Sequence, residues 1–278
     1  MRRSCVLIFT VAWLGASAGN GAASAARASR TGDHTHIRAT IAALGAAAPL
    51  GLSSSPGVQP GGVVRTDAGM CTLNFLFRGG NGIRYIGTAG HCILGQGESP
   101  LPAGEESTPG DEKTWAPGSG PVAKDASGQR LGEFAYAVLD DPKDFALIRL
   151  DPGVNASPQV AFFGGPTGIN SDRSNDPVTL EYYGNGVAVG SAVPARSALA
   201  MGLPDPDHVN AAGLAAPGDS GSAVISSDGR AVGVLVTVGI GLTPRDAGDV
   251  GITRLGPQLA RAEQVLGIRL DLEPAPLN

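Results

Sequence analysis

Turn residues cut this chain into short apolar runs, and that punctuation restricts its fold more than any other feature. Asn81-Gly82, Asp125-Ala126-Ser127-Gly128, Asp141-Pro142 and Asp228-Gly229 each stand between two runs of strand length. Runs this short, joined by residues that tolerate a left-handed or sharply bent backbone, fold back as hairpins. With 42 glycines, 42% hydrophobic and only 16% charged residues, the composition fits a turn-rich β protein better than a helical bundle or a disordered tail. The 278 residues accommodate one large domain or two packed barrels. Strands are expected at residues 71–77, 83–88, 122–124, 131–138, 145–150, 178–183, 186–193, 208–211, 223–226 and 231–238. One helix is expected at 255–266, where apolar residues recur at helical spacing and Gly267 stops them. Two stretches lack a period: 96–121 reads as an exposed loop with solvated acidic residues, and 152–177 as the join between two halves.

The start of the chain reads as an export signal over residues 1–25. Arg2 and Arg3 precede an apolar run from Cys5 to Leu14, and Ala-Ser-Ala follows at 16–18 and again at 23–25. The run is shorter than the roughly 20 residues that cross a bilayer, so a soluble, secreted product with no membrane span is expected. Residues 26–61 are rich in Ala, Gly, Ser and Pro and read as a linker or short propeptide, with a short helical stretch at 37–44. His34 and His36 there have no cysteine or carboxylate framework, and no metal or cofactor is expected. The formal charge of -5 and the lack of a basic run argue against nucleic acid as a partner. Removal of Cys5 with the signal leaves Cys71 and Cys92 as an even pair, either bridged or present as two buried thiols.

Chemistry concentrates in three places. Pro217-Gly218-Asp219-Ser220-Gly221-Ser222 sets a serine between glycines whose backbone bends sharply and approaches a ligand closely. A serine hydroxyl is a weak nucleophile alone and needs a base, which itself needs a carboxylate to hold its tautomer. Thr88-Ala89-Gly90-His91-Cys92 offers the base, and Asp144, at the mouth of the apolar run Phe145-Ala146-Leu147-Ile148-Arg149-Leu150, offers the acid. Asp140 and Asp141 sit beside Pro142 as turn residues, and Asp151 closes the strand before Pro152-Gly153. His208 lies in a Pro/Asp-rich turn and has no assigned role.

The order His91, Asp144, Ser220, each inside its own local pattern, resembles the chymotrypsin-like (trypsin-like) serine peptidases, especially their secreted bacterial branch, over about residues 63–268. The resemblance implies an all-β fold of two packed six-stranded antiparallel barrels with a C-terminal helix: residues 62–155 carrying His91 and Asp144, and 156–278 carrying Ser220. It implies a Cys71–Cys92 disulfide and an oxyanion hole from the N–H groups of Gly218 and Ser220. It places substrate beside Leu214, Ala215, Ala216 and Pro217 and along Thr237, Val238 and Gly239. No acid stands at the pocket base, so cleavage of polypeptides after small or apolar residues is expected, by a monomer. Asp219, which some members pair with a new N-terminal amine, must find another partner here, because no Ile-Val-Gly-Gly start is present. An α/β-hydrolase esterase is disfavoured because that fold places its histidine after the serine. The competing class is a secreted binding protein that kept the barrels and lost turnover.

Overall fold

The computed structural model describes residues 57–67, 69–95, 111–140, 142–187, 192–240 and 247–278. The expected signal at 1–25, His34, His36, the helical stretch at 37–44 and nearly all of the 26–61 linker lie outside the described residues. The strands of the first half are β1 (Val63–Thr66), β2 (Gly69–Thr72), β3 (Leu76–Gly79), β4 (Arg84–Thr88), β5 (Asp111–Thr114), β6 (Val122–Lys124), β7 (Arg130–Asp140) and β8 (Lys143–Leu150). The second half holds β9 (Gly168–Ile169), β10 (Val178–Tyr183), β11 (Ala195–Ala200), β12 (His208–Gly213), β13 (Ala223–Ser226), β14 (Arg230–Ile240) and β15 (Ala247–Arg254). Helix α1 (Leu255–Leu266) and strand β16 (Leu270–Leu272) end the chain.

The strands form two sheets. A nine-stranded sheet curls in the order β16-β3-β4-β8-β7-β6-β1-β2, with β5 added on β7. The second sheet runs β13-β10-β11-β12-β15-β14, and β14 pairs back to β13, which closes a six-stranded barrel with β9 attached outside. Closure removes the open edges that would otherwise recruit other strands. One closed six-stranded barrel and one curled, nine-stranded sheet, with a C-terminal helix, fit the all-β double-barrel architecture that the sequence leads one to expect. The apolar side chains form two cores: one around Leu73, Phe75, Phe77, Ile86, Phe134 and Phe145 that also takes in Ile225, Val234 and Leu255, and one of Leu180, Tyr182, Val209, Leu235, Val250 and Ile252. Phe77 and Phe145 meet edge to face at 6.3 Å, the arrangement that the charge distribution of aromatic rings favours.

Several elements differ from expectation, each for a visible reason. The run 71–77 splits into β2 and β3 because the Leu73 N–H donates to Gly62 while the Asn74 N–H donates to Gly87, so the chain changes partner strands within two residues. Residues 186 and 187 do not join a ladder: their N–H groups go to the Asp219 carboxylate and the Pro217 carbonyl. The expected loop 96–121 contains β5, whose half-buried Glu112 is bound by Tyr136 (2.8 Å) and Arg261. Strands β11 and β15 were not expected. In β11 the buried positions are Arg196, Ala198 and Ala200, and a charged inward residue among alanines hides the alternation. In β15 glycine and aspartate read as turn residues, yet the strand is paired on both edges, with β12 and β14. After Gly267, left-handed at φ 65°, the chain returns to the first sheet, where Leu270–Leu272 pairs with β3; the segment 156–278 therefore contributes to both sheets.

Candidate active site

His91 sits on a single 3-10 turn, Gly90–Cys92, directly after β4. Gly90 is required there: a side chain would meet the Val138 carbonyl at 1.9 Å, so only glycine lets the turn lie against β7. Asp144 stands opposite Leu139 in the β7–β8 hairpin and is nearly buried. Its two oxygens take two bonds from one residue, the His91 N–H to Oδ1 at 2.9 Å and the His91 Nδ1 to Oδ2 at 2.6 Å. An ionised carboxylate only accepts, so Nδ1 carries the proton and Nε2 is left as the acceptor. Burial lowers the His91 pKa, but the charge of Asp144 and the hydrogen bond to it outweigh that and raise it above the ordinary imidazole value.

Cys71 and Cys92 are joined by a disulfide. It fastens β2 to the turn that carries His91. The His91 ring lies within 4.8 Å of both sulfurs, but sulfurs bonded to one another offer no thiolate to a metal.

The loop carrying Ser220 is pinned peptide by peptide. The Pro217 carbonyl accepts from the Val187 N–H (2.9 Å) and the Gly218 carbonyl from the Thr72 hydroxyl (2.8 Å). The Asp219 carbonyl accepts from the Ser222 N–H (2.9 Å) and hydroxyl (2.6 Å), and the Ser220 carbonyl from the Thr72 N–H (2.8 Å). The Asp219 and Gly221 N–H groups donate to Ala216 and Leu235. Among the described residues, the N–H groups of Gly218 and Ser220 have no protein acceptor. In a trans peptide the N–H points opposite to its C=O, so both are aimed away from the groups that hold their own carbonyls. Gly218 adopts φ 101° and Gly221 φ 92°, and a side chain on Gly221 would strike the Thr72 carbonyl at 2.2 Å and the Thr88 hydroxyl at 2.4 Å. The loop thus lies against the segment leading into His91. Among the described residues no hydrogen bond joins the Ser220 hydroxyl to the His91 ring.

Asp219 is fully buried, and Arg196 meets it with two bonds, 2.6 and 2.5 Å, while the N–H groups of Gly186 and Ala216 also donate to it. Arg196 lies 5.0 Å over the Tyr182 ring and donates to the Leu214 carbonyl, which also accepts from the Tyr182 hydroxyl. The partner that Asp219 lacked in the sequence is therefore a side chain of β11. Leu214 projects an exposed side chain at the start of the segment 214–217, and Ala216 is buried. Thr237, Val238 and Gly239 lie on β14, where Thr237 and Val238 pair with Gly251 and Val250 of β15; among the described residues no strand covers their other edge.

Thr72, Val187, Arg196 and Ser222 were not among the expected site residues. Only Arg196 had a readable signal, a lone charge in the run Ala195–Ala200 that could answer Asp219. The others act through backbone carbonyls, and such contacts leave no pattern in a sequence.

No family model matches the chain, and no curated protein does. Solved structures do. Thermobifida fusca protease A is 17% identical with a TM-score of 0.51, over 78% of this chain and 99% of its own. Cellulomonas bogoriensis chymotrypsin is 19% identical with a TM-score of 0.49, over 78% of this chain and 99% of its own. From its sheet topology and the match to protease A, this chain has the fold of the bacterial chymotrypsin-like serine proteases.

Proposed function

We propose that the chain is a secreted serine endopeptidase that cleaves through an acyl-enzyme, with Ser220 as nucleophile, His91 as general base and Asp144 as the group that orients it. In this reading Nε2 of His91 takes the Ser220 proton as the oxygen attacks a peptide carbonyl, and returns it to the leaving amine. The carbonyl oxygen becomes negative and is met by the N–H groups of Gly218 and Ser220. Water then clears the acyl-enzyme by the same steps in reverse. Substrate backbone adds along the uncovered edge at 237–239, and its side chain lies against residues 214–217.

The observation that carries this reading is the coincidence of two local arrangements. A histidine is held at Nδ1 by a carboxylate, and a neighbouring loop spends the carbonyls of residues 217–220 while leaving two alternate N–H groups undonated. The protease name of the Thermobifida protein points the same way. Preference for small or apolar side chains before the cut is supported by the apolar character of Leu214, Ala215 and Ala216. The Arg196 pairing supports activity that needs no freed amine to hold Asp219. Export rests on the signal-like first residues.

One observation favours a second reading, a silent binding protein on this scaffold: the Ser220 hydroxyl is not bonded to His91. Catalytic hydrogen bonds are often long in unliganded enzymes and tighten on substrate, so the peptidase reading stands ahead. A peptide-library digest separates the two. Cleavage by wild type, lost in Ser220→Ala, is expected; an intact library would leave the binding reading, and strong cutting after Arg or Lys would overturn the apolar preference.

A further inference from the structure

We infer that Ser222 is a positioning residue of the oxyanion hole, its hydroxyl holding the peptide that presents the Ser220 N–H. The inference rests on the peptidase reading above. Ser222 is fully buried, and its Oγ donates to the Asp219 carbonyl at 2.6 Å, alongside the 2.9 Å bond from its own N–H to the same oxygen. The Asp219 oxygen and the Ser220 N–H are opposite ends of one planar unit. Turning that N–H away from a substrate therefore requires the carbonyl to leave both donors at once. With a glycine at 222, one of the two would be missing.

The surroundings keep the hydroxyl in place. A side chain on Gly184 would lie 2.8 Å from Ser222 Oγ and 2.3 Å from Asp219 Oδ1, so Gly184 is what makes room for both groups. The Asp219 carboxylate is fixed separately by Arg196 and the Gly186 and Ala216 N–H groups. Losing the Ser222 hydroxyl consequently leaves the Asp219–Ser220 peptide held by the residue 222 N–H alone, without releasing the buried ion pair. The other donor is held differently: the carbonyl of its peptide, on Pro217, is bound by a backbone N–H of Val187. The two donors are unequal, and the one beside the nucleophile depends on a side chain.

Donors aimed in advance at the developing charge act in the transition state and cost no reorganisation when it forms. A loosened Ser220 N–H should therefore lower kcat and leave KM nearly unchanged. A hydroxyl that served only its own hydrogen bonding would lower stability and leave turnover alone.

The test compares full-length wild type and Ser222→Ala for kcat, KM and thermal midpoint on the best library peptide. It also measures affinity for a peptide aldehyde, whose adduct oxygen occupies the oxyanion position. The expected result is a kcat lower by about tenfold, less than the 10²–10³ typical of a deleted donor, with KM within about twofold and aldehyde affinity falling by the same factor as kcat. Values of kcat and aldehyde affinity within about twofold of wild type would overturn the inference, whatever the midpoint does. Should Ser222→Ala not fold, Ser222→Gly is read the same way. An active wild type with an unaffected variant sinks this inference alone; a wild type that cleaves no peptide sinks it together with the peptidase reading.

Discussion

At the scale of single residues, the proton on His91 decides when the site can work. Because the imidazole must be neutral to act as base, and its pKa is raised by Asp144 against the opposing effect of burial, kcat/KM should rise with pH through a midpoint above 6.5. The sign is opposite for folding: the stability that this pair contributes is complete below the unfolded value and is lost as pH rises through the folded one. Asp144→Asn should move the kinetic midpoint down and lower kcat by about 10⁴-fold. A pH–rate profile of both proteins checks this, and an unchanged midpoint would deny Asp144 its role. His91, Asp144 and Ser220 were legible because each sits in a local pattern of its own. Thr72 was not: it is named only by what folding brings to it, the carbonyls of residues 218 and 220.

Among the elements, β11 contributes the least expected part of the site. Arg196 and Asp219 form a buried ion pair, and taking away one partner leaves the other charge without compensation. Arg196→Leu should cost about 3–5 kcal/mol of stability, measured by urea unfolding of variant and wild type. A loss under about 1 kcal/mol, the range of exposed pairs, would show that the pair does not hold the loop. The disulfide is the element-scale counterpart on the His91 side, closing a separation of 21 residues. Hairpins closed by Asn81-Gly82 and Asp228-Gly229, and the helix ended by Gly267, were readable because turn chemistry is local. Strands β11 and β15 were not, because their pairing is set by neighbours on both edges and overrides the weak β preference of Ala, Gly and Asp.

At the scale of the whole molecule, the two sheets are fastened by groups distant in sequence. The Thr253 hydroxyl donates to the Pro142 carbonyl, two residues before Asp144, and accepts from Gln258 on α1. Arg261 on the same helix binds Glu112 of β5 and holds its carboxyl below the usual range. Beyond the helix, β16 lies on β3 and Glu273 pairs with Arg84. Removing residues 269–278 would strip Leu270 from the core, worth about 1.5–3 kcal/mol, and open the edge of β3. A lower urea midpoint is expected; an unchanged one would mean that the returning strand is dispensable. None of these ties has a sequence signature, since each joins residues more than a hundred positions apart or closes on a neighbour of unremarkable type. The central claim is that folding makes Ser220 a nucleophile, and a serine-directed fluorophosphonate probe with mass-spectrometric mapping of the adduct tests it most directly. The account predicts one adduct, on Ser220, lost in Ser220→Ala and in His91→Ala; wild type that stays unlabelled, or is labelled elsewhere, would contradict it.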